Sequence, residues 1–161
     1  MGRTYSQTVI DSPIGPLTLQ AMNGKLCGLH FGGEKSPEDF VFEVDYGVIA
    51  RTKTELEEYF AGKRKAFTVP VTVCGTNFQS RIWDQLRTIP YGETRTYSRL
   101  AADAGSPGGA RAAGMACHNN PIGIIIPCHR VLSIGGKLTG FAGGLDVKRA
   151  LLKLEGIKWK E

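Results

Sequence analysis

The sequence predicts an α/β (α+β) protein: a small N-terminal antiparallel sheet with a helix, then a mainly helical C-terminal domain containing a helix-turn-helix. Three observations carry this. Short β-patterned runs separated by Ser12-Pro13-Ile14-Gly15-Pro16 and Asn23-Gly24 are confined to the first part of the chain. At Thr76 the apolar spacing turns helical. Further on, two helical stretches meet at the glycine turn Gly105-Ser106-Pro107, the outline of a helix-turn-helix. With 161 residues, the chain divides into residues 1–75 and residues 76–161.

In order, Tyr5 to Ile10, Leu17 to Ala21 and Lys25 to Phe31 read as strands, with Asn23-Gly24 a hairpin signal. Thr52 to Ala61 reads as a helix. Thr52 and Glu55 form a capping box, Leu56, Tyr59 and Phe60 share a face, and Gly62 ends it. Phe67 to Val73 alternates as a last strand, Pro70 marking an edge. Thr76 with Gln79 opens a second helix whose buried face is Phe78, Ile82, Leu86 and Ile89 and which stops at Pro90. Gly92 turns the chain, and Tyr97 to Ala104 is a short helix. Ser106 as N-cap and Pro107 as first residue then open a helix running to about His118. Its residues are nearly all small, Arg111 being its one large charged side chain. Asn119-Asn120-Pro121 breaks the chain before Ile124-Ile125-Ile126, a buried extended segment. Glycines at 135, 136, 140, 143 and 144 make a loop of little bulk, and Asp146 to Leu154 forms a closing helix.

Composition excludes several classes. The longest apolar stretch is too short to span a bilayer, and no signal segment opens the chain, so the expectation is a cytoplasmic protein, nuclear in a eukaryote, with no membrane partner. Cys27, Cys74, Cys117 and Cys128 stand far apart with no CxxC pair, so neither a disulfide framework nor a zinc site is expected. The net charge of +5 permits a polyanionic partner without naming one.

The candidate chemistry lies in Pro127-Cys128-His129-Arg130. Proline removes a backbone donor and disfavours helix before it, so thiol and imidazole sit side by side in an irregular turn. A thiol is nucleophilic as thiolate, and an imidazole can take its proton. The competing reading is a buried structural cysteine. Glu155 is a second anomaly, an anion at a helix C-terminus where the macrodipole disfavours it; a solvated glutamate is its plain explanation.

The ordered set Phe78-Gln79 through Trp83, Ile89-Pro90-Tyr91-Gly92-Glu93-Thr94, Tyr97, Arg111-Ala112, Asn120-Pro121, Pro127 to Val131, Gly143-Gly144-Leu145 and Leu154-Glu155-Gly156 resembles the O6-alkylguanine-DNA alkyltransferase family. The match is close over about the last ninety residues and looser before them. The resemblance implies a ribonuclease H-like N-terminal domain and a single-turnover DNA repair reaction without cofactor. Some members of the family carry a structural zinc in that domain, and no matching Cys/His set stands here, so no metal is expected. An alkyl group passes irreversibly from O6 of guanine, and less well O4 of thymine, in double-stranded DNA to the protein's own cysteine. It implies a monomer that can cluster on DNA. By position, Cys128 corresponds to the acceptor, His129 to the base acting through a water, Glu155 to the carboxylate orienting it, and Asn120 to the residue tying the turn together. Tyr97 corresponds to the donor to guanine N3, and Arg111, with Ala112 beside it, to the finger that replaces the extruded base. Arg130, Val131, Phe141 and Ala142 fall at the substrate side, the backbone of Val131 and Ala142 facing the guanine edge, with Lys148 at the pocket rim. Phe141-Ala142 stands where relatives often carry Tyr-Ser, and Gly123 where they carry a bulkier residue, which leaves the preferred alkyl size open. A helix-turn-helix regulator without chemistry and a cysteine hydrolase are the competing functions.

Overall fold

The computed structural model describes residues 5–34 and 39–161. The chain divides into two compact units, Met1–Val73 and Cys74–Glu161.

In the first unit, β1 (Ser6–Ile10), β2 (Leu17–Met22) and β3 (Lys25–Phe31) form an antiparallel sheet in chain order. Asn23 and Gly24 both take positive φ, the backbone that a two-residue hairpin of the right twist requires. β2 alternates buried and half-buried residues, so Leu17, Leu19 and Ala21 face a core shared with Leu26, Leu29, Leu56 and Tyr59. The helix over this face, α1 (Tyr46–Phe60), begins six residues before the expected Thr52. Thr52 is not its cap but a buried mid-helix residue whose hydroxyl donates to Val48 O at 2.7 Å. Glu55 turns instead to Thr68, accepting from its backbone N at 2.8 Å. The expected strand over residues 67–73 is reduced to one parallel bridge, Leu26 to Val71, because Pro70 can offer only its carbonyl, which accepts from Leu26 N at 2.9 Å.

In the second unit, α2 (Asn77–Leu86) opens with the expected capping box, Thr76 and Gln79 exchanging bonds of 3.0 and 3.1 Å. Strand β4 (Arg95–Thr96) leads directly into α3 (Tyr97–Asp103), whose cap is the Thr96 hydroxyl accepting from Arg99 N. The following helix, α4 (Ala110–His118), starts three residues later than expected. Gly108 sits at φ +83, outside the helical region, so Ser106 and Pro107 belong to the turn rather than to a helix start. Trp83 Nε1 donates to Ala116 O at 2.9 Å and fixes α4 against α2. The parallel pairing of β4 with β5 (Val131–Leu132) brings the start of α3 beside the segment that follows Cys128. Helix α5 (Leu145–Leu154) closes the unit. Among the described residues, no helix is long and apolar enough to cross a membrane.

Candidate active site

The turn that carries Cys128 is built from an asparagine and four isoleucines. Asn120 Nδ2 donates to Ile126 O at 2.7 Å while its Oδ1 accepts from Ile122 N at 3.0 Å, clamping both ends of one loop. The isoleucine run is buried as expected but not extended: it is a turn, with Ile124 at φ +67. A β-branched residue there costs of order 1–3 kcal/mol. Ile122, Ile124, Ile125 and Ile126 are all buried, at about 2 kcal/mol each, so burial outweighs the strain. Beyond Pro127, Cys128–Arg130 forms a single 3-10 turn.

His129 is completely buried, and its Nε2 lies 2.6 Å from Glu155 Oε2. A carboxylate accepts only, so Nε2 carries the proton and Nδ1 is left as the acceptor. Nδ1 is buried without a hydrogen-bond partner. Burial drives the His129 pKa down, Glu155 working against this and Arg130 and Lys148 with it, so the resting imidazole is neutral. The Cys128 thiol is pushed up by burial, partly offset by a hydrogen bond from Asn120 and the charge of Lys148. The resting pair is therefore thiol and neutral imidazole rather than thiolate and imidazolium.

Glu155 is buried rather than solvated. It occupies the C-cap of α5, where Gly156 at φ +74 turns the chain and lets Ile157 N reach back to Leu152 O. Its carboxylate also receives Gly92 N at 3.1 Å, Arg130 Nε at 2.8 Å and Arg130 Nη2 at 3.2 Å. Arg130 is thus corrected from the substrate side to the interior. Its remaining Nη1 donates to Ile89 O at 2.7 Å, and the residue is buried because a carboxylate 25 positions away holds it. Lys148 is likewise not at a rim. It is fully buried, its Nζ donating to Val131 O at 2.8 Å and lying 5.9 Å from the centre of the Tyr97 ring and 6.0 Å from that of Phe141.

Cys128 lines a small pocket of about 30 Å³ with Tyr97, Gly114, Cys117, His118, Gly140, Phe141 and Ala142. Tyr97, Gly114, His118, Gly140 and Phe141 also line a groove of about 920 Å³ that contains Arg111, so the pocket opens from the groove. Tyr97 Oη accepts from Thr139 Oγ1 at 3.1 Å, which leaves its own proton to donate, and burial keeps that proton on by raising its pKa. Ala112 is exposed on α4 without lining either space. Val131 is buried, with its carbonyl engaged by Lys148. Cys117, His118 and Gly114 line the Cys128 pocket although the sequence pattern does not mark them as site residues. Gly114 and His118, three and seven residues after Arg111, fall on its face of α4, whereas Cys117, six residues on, lies off that face. Among the described residues no cluster of three or more His, Cys, Asp or Glu could hold a metal ion.

Fold and site together define a helix-turn-helix protein with a buried thiol, Cys128, lining a pocket that opens from its groove. Residues 77–157 match the model of the DNA binding domain of 6-O-methylguanine DNA methyltransferase, and residues 6–73 that of its ribonuclease-like domain. A methylated-DNA–protein-cysteine methyltransferase of Mycobacterium bovis is 48% identical over 147 residues, 91% of this chain and 89% of that protein. One from Methanosarcina acetivorans is 45% identical over 152 residues, 92% of this chain and 96% of that protein. A crystal structure of Mycobacterium tuberculosis OGT in complex with DNA superposes with a TM-score of 0.84 at 46% identity, covering 93% of this chain and 92% of that one. The chain belongs to the 6-O-methylguanine DNA methyltransferase family.

Proposed function

We propose that Cys128 takes the alkyl group from O6 of a guanine, or less readily O4 of a thymine, in double-stranded DNA. As a member of its family the chain is a DNA-binding methyltransferase of DNA repair. The observation that supports Cys128 as acceptor is its position in a pocket opening from the Arg111 groove, beside a neutral histidine whose Nδ1 has no partner.

The chemistry follows from the resting charges. His129 Nδ1 accepts the thiol proton through a water, and Glu155 stabilises the imidazolium that results. The sulfur attacks the alkyl carbon, the carbon–O6 bond breaks, and its electron pair stays on the guanine. The guanine accepts a hydrogen bond from the Tyr97 hydroxyl and is neutralised by the proton that the His129 imidazolium releases through water. Lys148 holds positive charge near the thiolate, and Asn120 supports it by hydrogen bond. The product is a thioether, which water does not cleave, so the protein acts once. The target base must first leave the stack, at a cost of a few kcal/mol. Arg111, an exposed cation on a helix of small residues, occupies the space it leaves. The backbone around Ala142, and beside it Phe141, receives the guanine. The working unit is a monomer acting on DNA in the cytoplasm, or in the nucleus of a eukaryotic cell.

Intact-mass measurement after incubation with O6-methylguanine DNA tests this. One added methyl group on Cys128, and none on a Cys128→Ser variant that still binds DNA, is expected. Label on Cys27, Cys74 or Cys117 would overturn the assignment, and continued turnover would favour a hydrolase. Arg111→Ala is expected to slow transfer from duplex DNA while reacting with free O6-benzylguanine at near the parent rate. Arg99, paired with Asp103 at 3.0 Å on α3, serves as control: if Arg99→Ala behaves the same, the finger assignment fails.

A further inference from the structure

Two apolar side chains in the groove are unexplained by the chemistry above. In the second unit the large apolar side chains exposed to solvent are Met115, Ile134 and Leu145. Met115 is 61% exposed and Ile134 76%, and these two, but not Leu145, line the groove with Arg111. Met115 stands four residues after Arg111 on α4, and therefore on the same helical face. Ile134 comes from a separate element, the 3-10 turn Ile134–Gly136 that follows β5. A surface that only had to attract phosphates would carry polar or basic groups at such positions. Large apolar groups held open to water beside a cation suit an occupant that is itself apolar and flat.

We propose that Met115 and Ile134 are apolar wedges that pack against the faces of the bases flanking the extruded nucleotide, holding open the gap that Arg111 enters. This rests on the reading that the groove receives duplex DNA. Its physical basis is that unstacked base faces expose apolar surface, and that aliphatic side chains inserted at a base step keep it unstacked. Met, with its flexible thioether chain, adapts to a base of any identity, which fits a protein whose target is a lesion rather than a sequence.

The test uses the full chain and its Met115→Ala, Ile134→Ala, Met115→Leu and Arg111→Ala variants. Substrates are an O6-methylguanine duplex carrying 2-aminopurine beside the lesion, and free O6-benzylguanine. Both alanine variants at the apolar sites are expected to lower the ratio of duplex to free-base rate more than threefold and to reduce the 2-aminopurine signal of unstacking. The slope of log affinity against log salt should stay at the parent value, whereas Arg111→Ala flattens it by about 0.9. Met115→Leu should restore the ratio. A ratio within threefold of the parent, or a salt slope that moves with Met115→Ala as with Arg111→Ala, overturns the wedge. Should the parent accept no alkyl group from either substrate, the transfer reading fails instead, and the fluorescence and salt measurements still decide the wedge. A parent that binds no DNA overturns both.

Discussion

Glu155 serves two partners whose needs differ. His129 gains basicity from it, since Glu155 raises an imidazole pKa that burial drives down. Arg130 needs it for plain electrostatic reasons, because a buried guanidinium without an anion is costly. Glu155→Gln should therefore have two separable effects. Losing the carboxylate lowers His129 basicity further, so transfer at neutral pH should slow, roughly 100-fold being the scale of a general base, and the acid limb of its pH profile, set by His129, should move downward. Leaving Arg130 unpaired should cost about 3 kcal/mol of stability. A Glu155→Gln, Arg130→Met double variant should recover stability without recovering rate, as denaturant melts and single-turnover kinetics on lesion DNA would measure. An unchanged rate in Glu155→Gln would leave the carboxylate a purely structural anchor. The adjacency of Cys128 and His129, which motivates the proposed chemistry, is legible in the sequence because the two residues are neighbours in the chain. The interior role of Arg130 is not, because it depends on a contact from the far end of α5.

At the scale of elements, the Asn120 loop shows why some structure escapes sequence reading. An isoleucine triplet between Gly123 and Pro127 has the pattern of a strand, but local pattern cannot show that Asn120 ties Ile122 and Ile126 into a turn. The same limit applies to Thr52 with Glu55. The capping-box pattern was correct at Thr76 and Gln79 and misleading at Thr52, because a mid-helix threonine can satisfy itself on the carbonyl four residues back. The sheet, α2, α3, α5 and the helix-turn-helix outline were readable, since hairpin glycines, caps and apolar periodicity act over short range. Asn120→Ala removes a donor and an acceptor from this loop, leaving Ile122 N unpaired and Ile126 O with Cys128 N alone, at 2.8 Å. It should lose about 2 kcal/mol of stability and slow transfer more than tenfold, because the carbonyl–amide clamp also sets where Cys128 stands. Asn120→Asp keeps the acceptor for Ile122 N and should be intermediate in stability. Equal transfer rates in the parent and Asn120→Ala would show the loop to be held by isoleucine packing alone.

For the whole molecule, the pH dependence of stability follows from groups the fold keeps in a charge state that the unfolded chain would not choose. His129 has a folded pKa below its unfolded value, burial being the main cause. As pH falls below about 6.5, the unfolded chain takes up a proton that the folded chain refuses, so stability present above that pH is progressively lost. His30, on the exposed end of β3, is shifted the same way by partial burial and should add a smaller step. Glu55, in the same unit as His30, loses stability lower on the scale. Burial alone would raise its pKa, but hydrogen bonds from Thr68 and the nearby Arg64 and Arg51 outweigh it and hold the folded value below the unfolded one. Its contribution is present above about pH 4.3 and lost as pH falls further. Denaturant midpoints followed down from pH 8 should fall first near pH 6.5 and again near 4.3. Glu55→Gln should remove the lower step and keep the upper, and His30→Gln should leave most of the upper one in place. An upper step abolished by His30→Gln would mean that the folded pKa of His129 is not held below its unfolded value, and the burial-driven preference for the neutral ring could not stand.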